Sequence, residues 1–111
     1  MPTTTLAAAA ILRDLEQAEA GRVKLADLSR AIGWDKASQS HAVTEGLLDA
    51  RRLGGPGNPY GITRDDAITL LLAALLAVAA GVAIAAMLRG LKAQGVTGDL
   101  AAEVLHATVR T

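Results

Sequence analysis

At 111 residues the chain is long enough for one domain with its own apolar core. Its 11 Lys/Arg balance 11 Asp/Glu, so no global field draws in nucleic acid, and any such binding has to come from a local patch. The lack of Cys excludes disulfides, thiolate metal sites and cysteine nucleophiles, and one Trp, one Tyr and no Phe argue against stacking on single-stranded bases.

In chain order, Thr3, Thr4 and Thr5 offer N-caps for a first helix over residues 5–20. Ala8, Ile11, Leu12, Leu15 and Ala18 form its apolar stripe, Arg13, Asp14, Glu16, Gln17 and Glu19 face away, and Gly21 ends it. The apolar run near the start is short and has no basic residue before it, which argues against a signal peptide and for a cytoplasmic protein. Arg22 to Leu25 reads as a short extended piece. A brief helix over 26–32 points Leu28, Ala31 and Ile32 inward, Gly33 breaks it, and Asp35 caps a longer helix over 36–52. Helix, glycine-centred turn, helix is the pattern that seats its second helix in the DNA major groove. Gly54-Gly55-Pro56-Gly57-Asn58-Pro59 is a turn cluster before Tyr60-Gly61-Ile62-Thr63. Two short strands around that tip make a hairpin, which after a helix-turn-helix is a wing.

Thr63-Arg64-Asp65-Asp66 reads as a capping box for the stretch that follows. Residues 67–88 carry no charge and must leave water, for a bilayer, a second copy or the chain's own core. The run is rich in Ala, which contributes little on transfer into lipid, and its larger side chains fall in two patches around Gly81. Two helices, 65–80 and 83–94, with a bend at the glycine are expected, and Ala73, Ala77 and Gly81 leave a smooth stripe for close helix approach. Leu71, Leu72, Leu75, Ala77, Ile84 and Leu88 are the expected dimerisation residues; the alternative is a membrane span. After a loop at 95–98, a last helix over 98–109 shows Leu100, Ala101, Val104, Leu105 and Thr108 on one side. The division is a module over 1–64 and a helical packing segment over 65–111.

Gly33-Trp34-Asp35-Lys36-Ala37, then Ser40-His41 and Thr44, resembles the start of the recognition helix in MarR-type bacterial regulators. Tyr60-Gly61-Ile62-Thr63 looks like the end of their wing, so residues 25–65 resemble that family's winged helix-turn-helix. A compact phage or mobile-element regulator with the same module fits equally. The resemblance implies a mainly α fold with a β-hairpin wing and a homodimer on pseudo-palindromic duplex DNA, joined by its first and last helices. The sequence departs from the family at Gln39, where an aliphatic residue is usual, and in a tip without Arg or Lys.

Residue types name the candidate contacts. Lys36, Ser38, Gln39, Ser40 and His41 stand early on the second helix: Gln suits adenine, Lys suits guanine or phosphate, and Ser and His serve either role. Arg51 and Arg52 enter the hairpin and suit phosphate; Arg22, Lys24 and Arg30 are weaker candidates. Trp34 reads as a core plug behind the turn. Two His, no Cys and a glycine-rich tip lacking Lys-Ser/Thr supply neither a metal set, a nucleophile nor a phosphate loop, so neither enzyme nor cofactor is expected. The expected function is transcriptional regulation through duplex DNA. The alternative is a small protein-interaction module, tethered or not through 67–88.

Overall fold

The computed structural model describes residues 5–17, 22–54 and 59–109. Ala18, Gly21 and most of the hairpin tip therefore lie outside the described residues. The order is α1 (Thr5–Gln17), β1 (Val23–Lys24), α2 (Leu25–Ile32), α3 (Lys36–Thr44), β2 (Ala50–Arg52), β3 (Tyr60–Ile62), α4 (Arg64–Ala80), α5 (Ile84–Ala93) and α6 (Gly98–Val109). The architecture is mainly helical, with one small antiparallel sheet in the order β1-β3-β2.

Helix α2 starts one residue earlier than expected; Leu28 and Ile32 are buried as the spacing predicts, joined by Leu25 and Ser29, while Ala31 is exposed. Gly33 stops it in the left-handed region (φ 74°), and its N–H reaches back to the carbonyls of Arg30 and Ser29. Trp34 follows and is buried, as a plug behind the turn.

Helix α3 ends at Thr44, well short of the expected 52. Gly46 takes φ 76°, its N–H bonds the Val43 carbonyl, and the Leu47 N–H bonds the Ala42 carbonyl. Gly46, which the expected helix over 36–52 would make an interior residue, is thus a helix stop with an apolar residue behind it. Leu48 then turns into the core, and Arg51 and Arg52 stand on a strand rather than on the helix.

The extended piece expected at 22–25 contains β1 and joins the hairpin as a third strand, a pairing the sequence did not reveal. β3 pairs with β2 and also with β1, placing Val23 and Ala50 on either side of Ile62. Gly61 is fixed by crowding: a Cβ there would lie 2.6 Å from Leu53 Cδ2 and 2.8 Å from Arg22 Cβ.

Helix α4 is the centre of the fold. Asp66 through Ala74 and Ala77 are buried, and α1, α2, α5 and α6 pack around it. Burial on every side explains why this run has no amphipathic period. Leu70, Leu71 and Leu72 are at most 2% exposed, each contributing roughly 1.5–3 kcal/mol of burial. Gly81 (φ 70°) ends α4, and α5 departs at 119° to it. Among the described residues no single helix is long and apolar enough to cross a membrane.

One apolar cluster joins Leu12, Leu28 and Ile62 to Leu71, Leu88 and Leu105, so the core runs across the 64/65 boundary. On α6 the inward residues are Ala101 and Leu105; Leu100, Val104 and Thr108 of the expected stripe are exposed. Gly98 is buried against the start of α4, where a Cβ would lie 2.6 Å from the Asp65 Cα.

The Ser29 hydroxyl is buried, and Ser29 as a whole is 0% exposed; among the described residues the hydroxyl has no hydrogen-bond partner. Ser29→Ala removes a desolvated polar atom without opening a cavity, so stability holds or rises by up to ~1 kcal/mol. Urea unfolding with an unchanged m-value checks this.

Candidate nucleic-acid interface

The surface in question is built by α3, the start of α2 and the hairpin. Asp35 caps α3: the Ser38 N–H donates to Oδ2 at 3.1 Å and the Ser38 hydroxyl donates to Oδ1 at 2.5 Å. These bonds, the hydroxyl's first, hold the Asp35 carboxyl below its ordinary range. Ser38 is therefore a capping partner, with its hydroxyl turned to Asp35.

Gln39 is also turned inward. It is half-buried, and its side-chain amide donates to the Trp34 carbonyl at 3.1 Å. That bond explains a polar residue at a core-facing position: the amide satisfies a carbonyl in the turn. Lys36, Ser40 and His41 are left exposed on α3, and the Thr44 hydroxyl donates to the Ser40 carbonyl at 2.9 Å.

The strand alternation separates the two arginines. Arg52 sits opposite Tyr60 and its guanidinium lies 4.4 Å from the ring centroid, a cation–π contact. Arg51 sits opposite Gly61, whose other neighbour in register is Lys24. Successive side chains on a strand leave opposite faces, so Arg51 and Lys24 share the outer face of the sheet and Arg52 looks toward α3. A cleft of about 390 Å³ opens on that side, lined among others by Leu25, Lys36, Gln39, Ser40, Arg52 and Tyr60. The fold thus brings Lys36, Ser40 and Arg52 together and leaves Arg51 behind.

Of the weaker candidates, Arg22 is committed within the chain. Its guanidinium donates to the Asp49 carbonyl at 2.6 Å and the Gly61 carbonyl at 3.2 Å, and pairs with the Asp49 carboxylate at 3.2 Å. Arg30 is exposed and lies 3.8 Å from Asp27, a pair of little energetic weight.

The expected dimer residues divide in the same way. Leu71, Leu72, Ala77 and Leu88 are at most 2% exposed inside their own chain, so they have no surface left for a second copy. Leu75 and Ile84 are half-buried. Among the described residues the large apolar side chains that face outward are Val78, Val82, Leu100 and Val104.

Asp66 does more than help cap α4. The Thr63 hydroxyl accepts from the Asp66 N–H at 3.2 Å, as a capping box requires. The Asp66 carboxylate, however, accepts from the Asp49 N–H at 2.5 Å and pairs with Lys92. Among the described residues no group of His, Cys, Asp or Glu could hold a metal ion. No protein-family model, curated protein or solved structure matches the chain.

Proposed function

We propose that this chain is a winged helix-turn-helix protein that binds duplex DNA as a homodimer and regulates transcription in the cytoplasm. The observation that carries the reading is the convergence of Lys36, Ser40 and Arg52 on one cleft beside an exposed helix face. Helix α3 is the recognition helix, with Lys36, Ser40 and His41 toward base edges and phosphates. The β2–β3 hairpin is the wing, and Arg52, held flat on Tyr60, meets the backbone. Gln39 and Ser38 shape α3 from within.

A charge-balanced chain binds weakly through one copy, so two copies on a two-fold site are needed for useful affinity. The uncharged corner of Val78 to Ala83, fully outside the chain's own core, is the seam that fits a second copy. The same exposed valines favour one other reading, a module whose corner docks a different protein and whose α3 face is only solvated. Salt-titrated binding to random genomic fragments tests the choice. DNA binding predicts an affinity that falls steeply between 50 and 200 mM salt, and no binding at 50 mM salt rejects it.

A further inference from the structure

Helix α3 is lightly anchored. Ala42 is its one buried residue, with Ser38, Gln39 and Val43 half-buried. Its front end is set by the Gly33 turn, Trp34 and the Asp35 cap. Its trailing end has Glu45 at the C-cap, where an acid opposes the helix dipole and needs another reason to be there.

That reason lies on α5. Arg89 forks onto the Glu45 carboxylate: Nη2 donates to Oε2 at 2.8 Å and Oε1 at 3.0 Å, and Nε donates to Oε2 at 3.2 Å. One turn further along α5, Lys92 pairs with Asp66, whose other oxygen holds the Asp49 N–H at 2.5 Å. Arg89 and Lys92 are the only charged residues of α5; Arg89 holds the end of α3 directly, and Lys92 acts on the α3–β2 link only through Asp66 of α4. A two-oxygen, two-nitrogen fork fixes direction as well as distance.

We propose that Arg89 and Lys92 are positioning residues: α5 sets the angle at which α3 presents its exposed face, without touching the ligand itself. This deepens the DNA reading above, but the bracing can be measured without DNA. The link makes the packing of α5 on α4 part of the recognition geometry. Any partner that shifts α5 then shifts α3.

The test uses the full chain and the variants Arg89→Ala, Glu45→Ala and the exchanged pair Glu45→Arg/Arg89→Glu. Arg89 is about half exposed, so its truncation leaves the core intact. Amide exchange at residues 41–47 is expected to quicken at least threefold in each single variant and to recover in the exchanged pair. DNA affinity is expected to fall about fivefold in Arg89→Ala with the salt slope unchanged, because a brace neutralises no phosphate. Unchanged exchange in Arg89→Ala overturns the bracing. A salt slope reduced by about one per subunit also overturns it, since Arg89 then contacts DNA directly. If the wild-type chain binds no DNA, the functional reading fails and the exchange experiment alone decides the brace.

Discussion

Lys36→Ala/Arg52→Ala is expected to weaken duplex DNA binding by roughly 30- to 100-fold per bound subunit near 100 mM salt, and to lower the salt slope by about two per subunit. The size follows from two charge-assisted contacts, at about 1 kcal/mol or more each and tenfold per 1.4 kcal/mol. Both side chains line the one cleft between α3 and the hairpin. Arg51→Ala is the matched control: it removes the same charge from the adjacent residue on the opposite face of the strand. A change of less than about twofold is expected for it. Net charge alone treats the two arginines alike, whereas placement separates them. Arg52 also stacks on Tyr60, so its removal costs a further ~0.5–1 kcal/mol of stability. Thermal unfolding of each variant distinguishes that loss from a lost contact. Equal losses from Arg51→Ala and Arg52→Ala in fluorescence anisotropy would reject the proposed face.

What the chain reveals by pattern and what it hides divide along sequence distance. The α4–α5 pair, the bend at Gly81 and the bounds of α6 follow from local signals: a charge-free run, a glycine and a capping threonine. The end of α3 was also written locally, as Gly46 followed by two leucines, but glycine inside a presumed helix carries the same letter as glycine ending one. The facing of Arg51 and Arg52 follows from the strand period once the strand is known. β1 is different. Its extended character is legible at 22–25, but two residues carry too little pattern to name a partner, and the pairing of Val23 with Ile62 makes them a strand. Charge-free residues 67–88 are expected to leave water, yet 78–83 stay exposed, and no periodicity tells a partner's core from the chain's own; burial within the chain settles it for Leu71, Leu72, Ala77 and Leu88. The ion pairs lay furthest out of reach. Glu45 and Arg89 are 44 positions apart and Asp66 and Lys92 are 26 apart, with no local spacing rule to join them.

Asp66→Ala is expected to cost the most stability of any single polar substitution in this network, about 2–3 kcal/mol. The carboxylate is 9% exposed and performs two tasks at once. Its loss leaves the Asp49 N–H without its acceptor, a part-buried donor worth roughly 1–2 kcal/mol. It also strips Lys92 of its partner. Removing one member of a fully buried pair costs about 3–5 kcal/mol. Lys92 is 32% exposed, so its ammonium can swing to water and the penalty is well below that range. At about 4–8 °C per kcal/mol for a domain of this size, the melting temperature falls by roughly 8–24 °C. Asp66→Asn discriminates between the two tasks. Its amide oxygen still accepts from the Asp49 N–H, so about half of the loss returns, and what remains is the ion pair. Arg89→Ala, which breaks a pair exposed on both sides, costs under about 1 kcal/mol. The expected order of destabilisation is Asp66→Ala, then Asp66→Asn, then Arg89→Ala. That order makes burial, not the number of hydrogen bonds, the measure of each link, because the forked Arg89 pair has more bonds and the smaller effect. Melting curves with Asp66→Ala within about 2 °C of the parent would place the hold on the α3–β2 link elsewhere, in Leu48 and the Arg22 contacts.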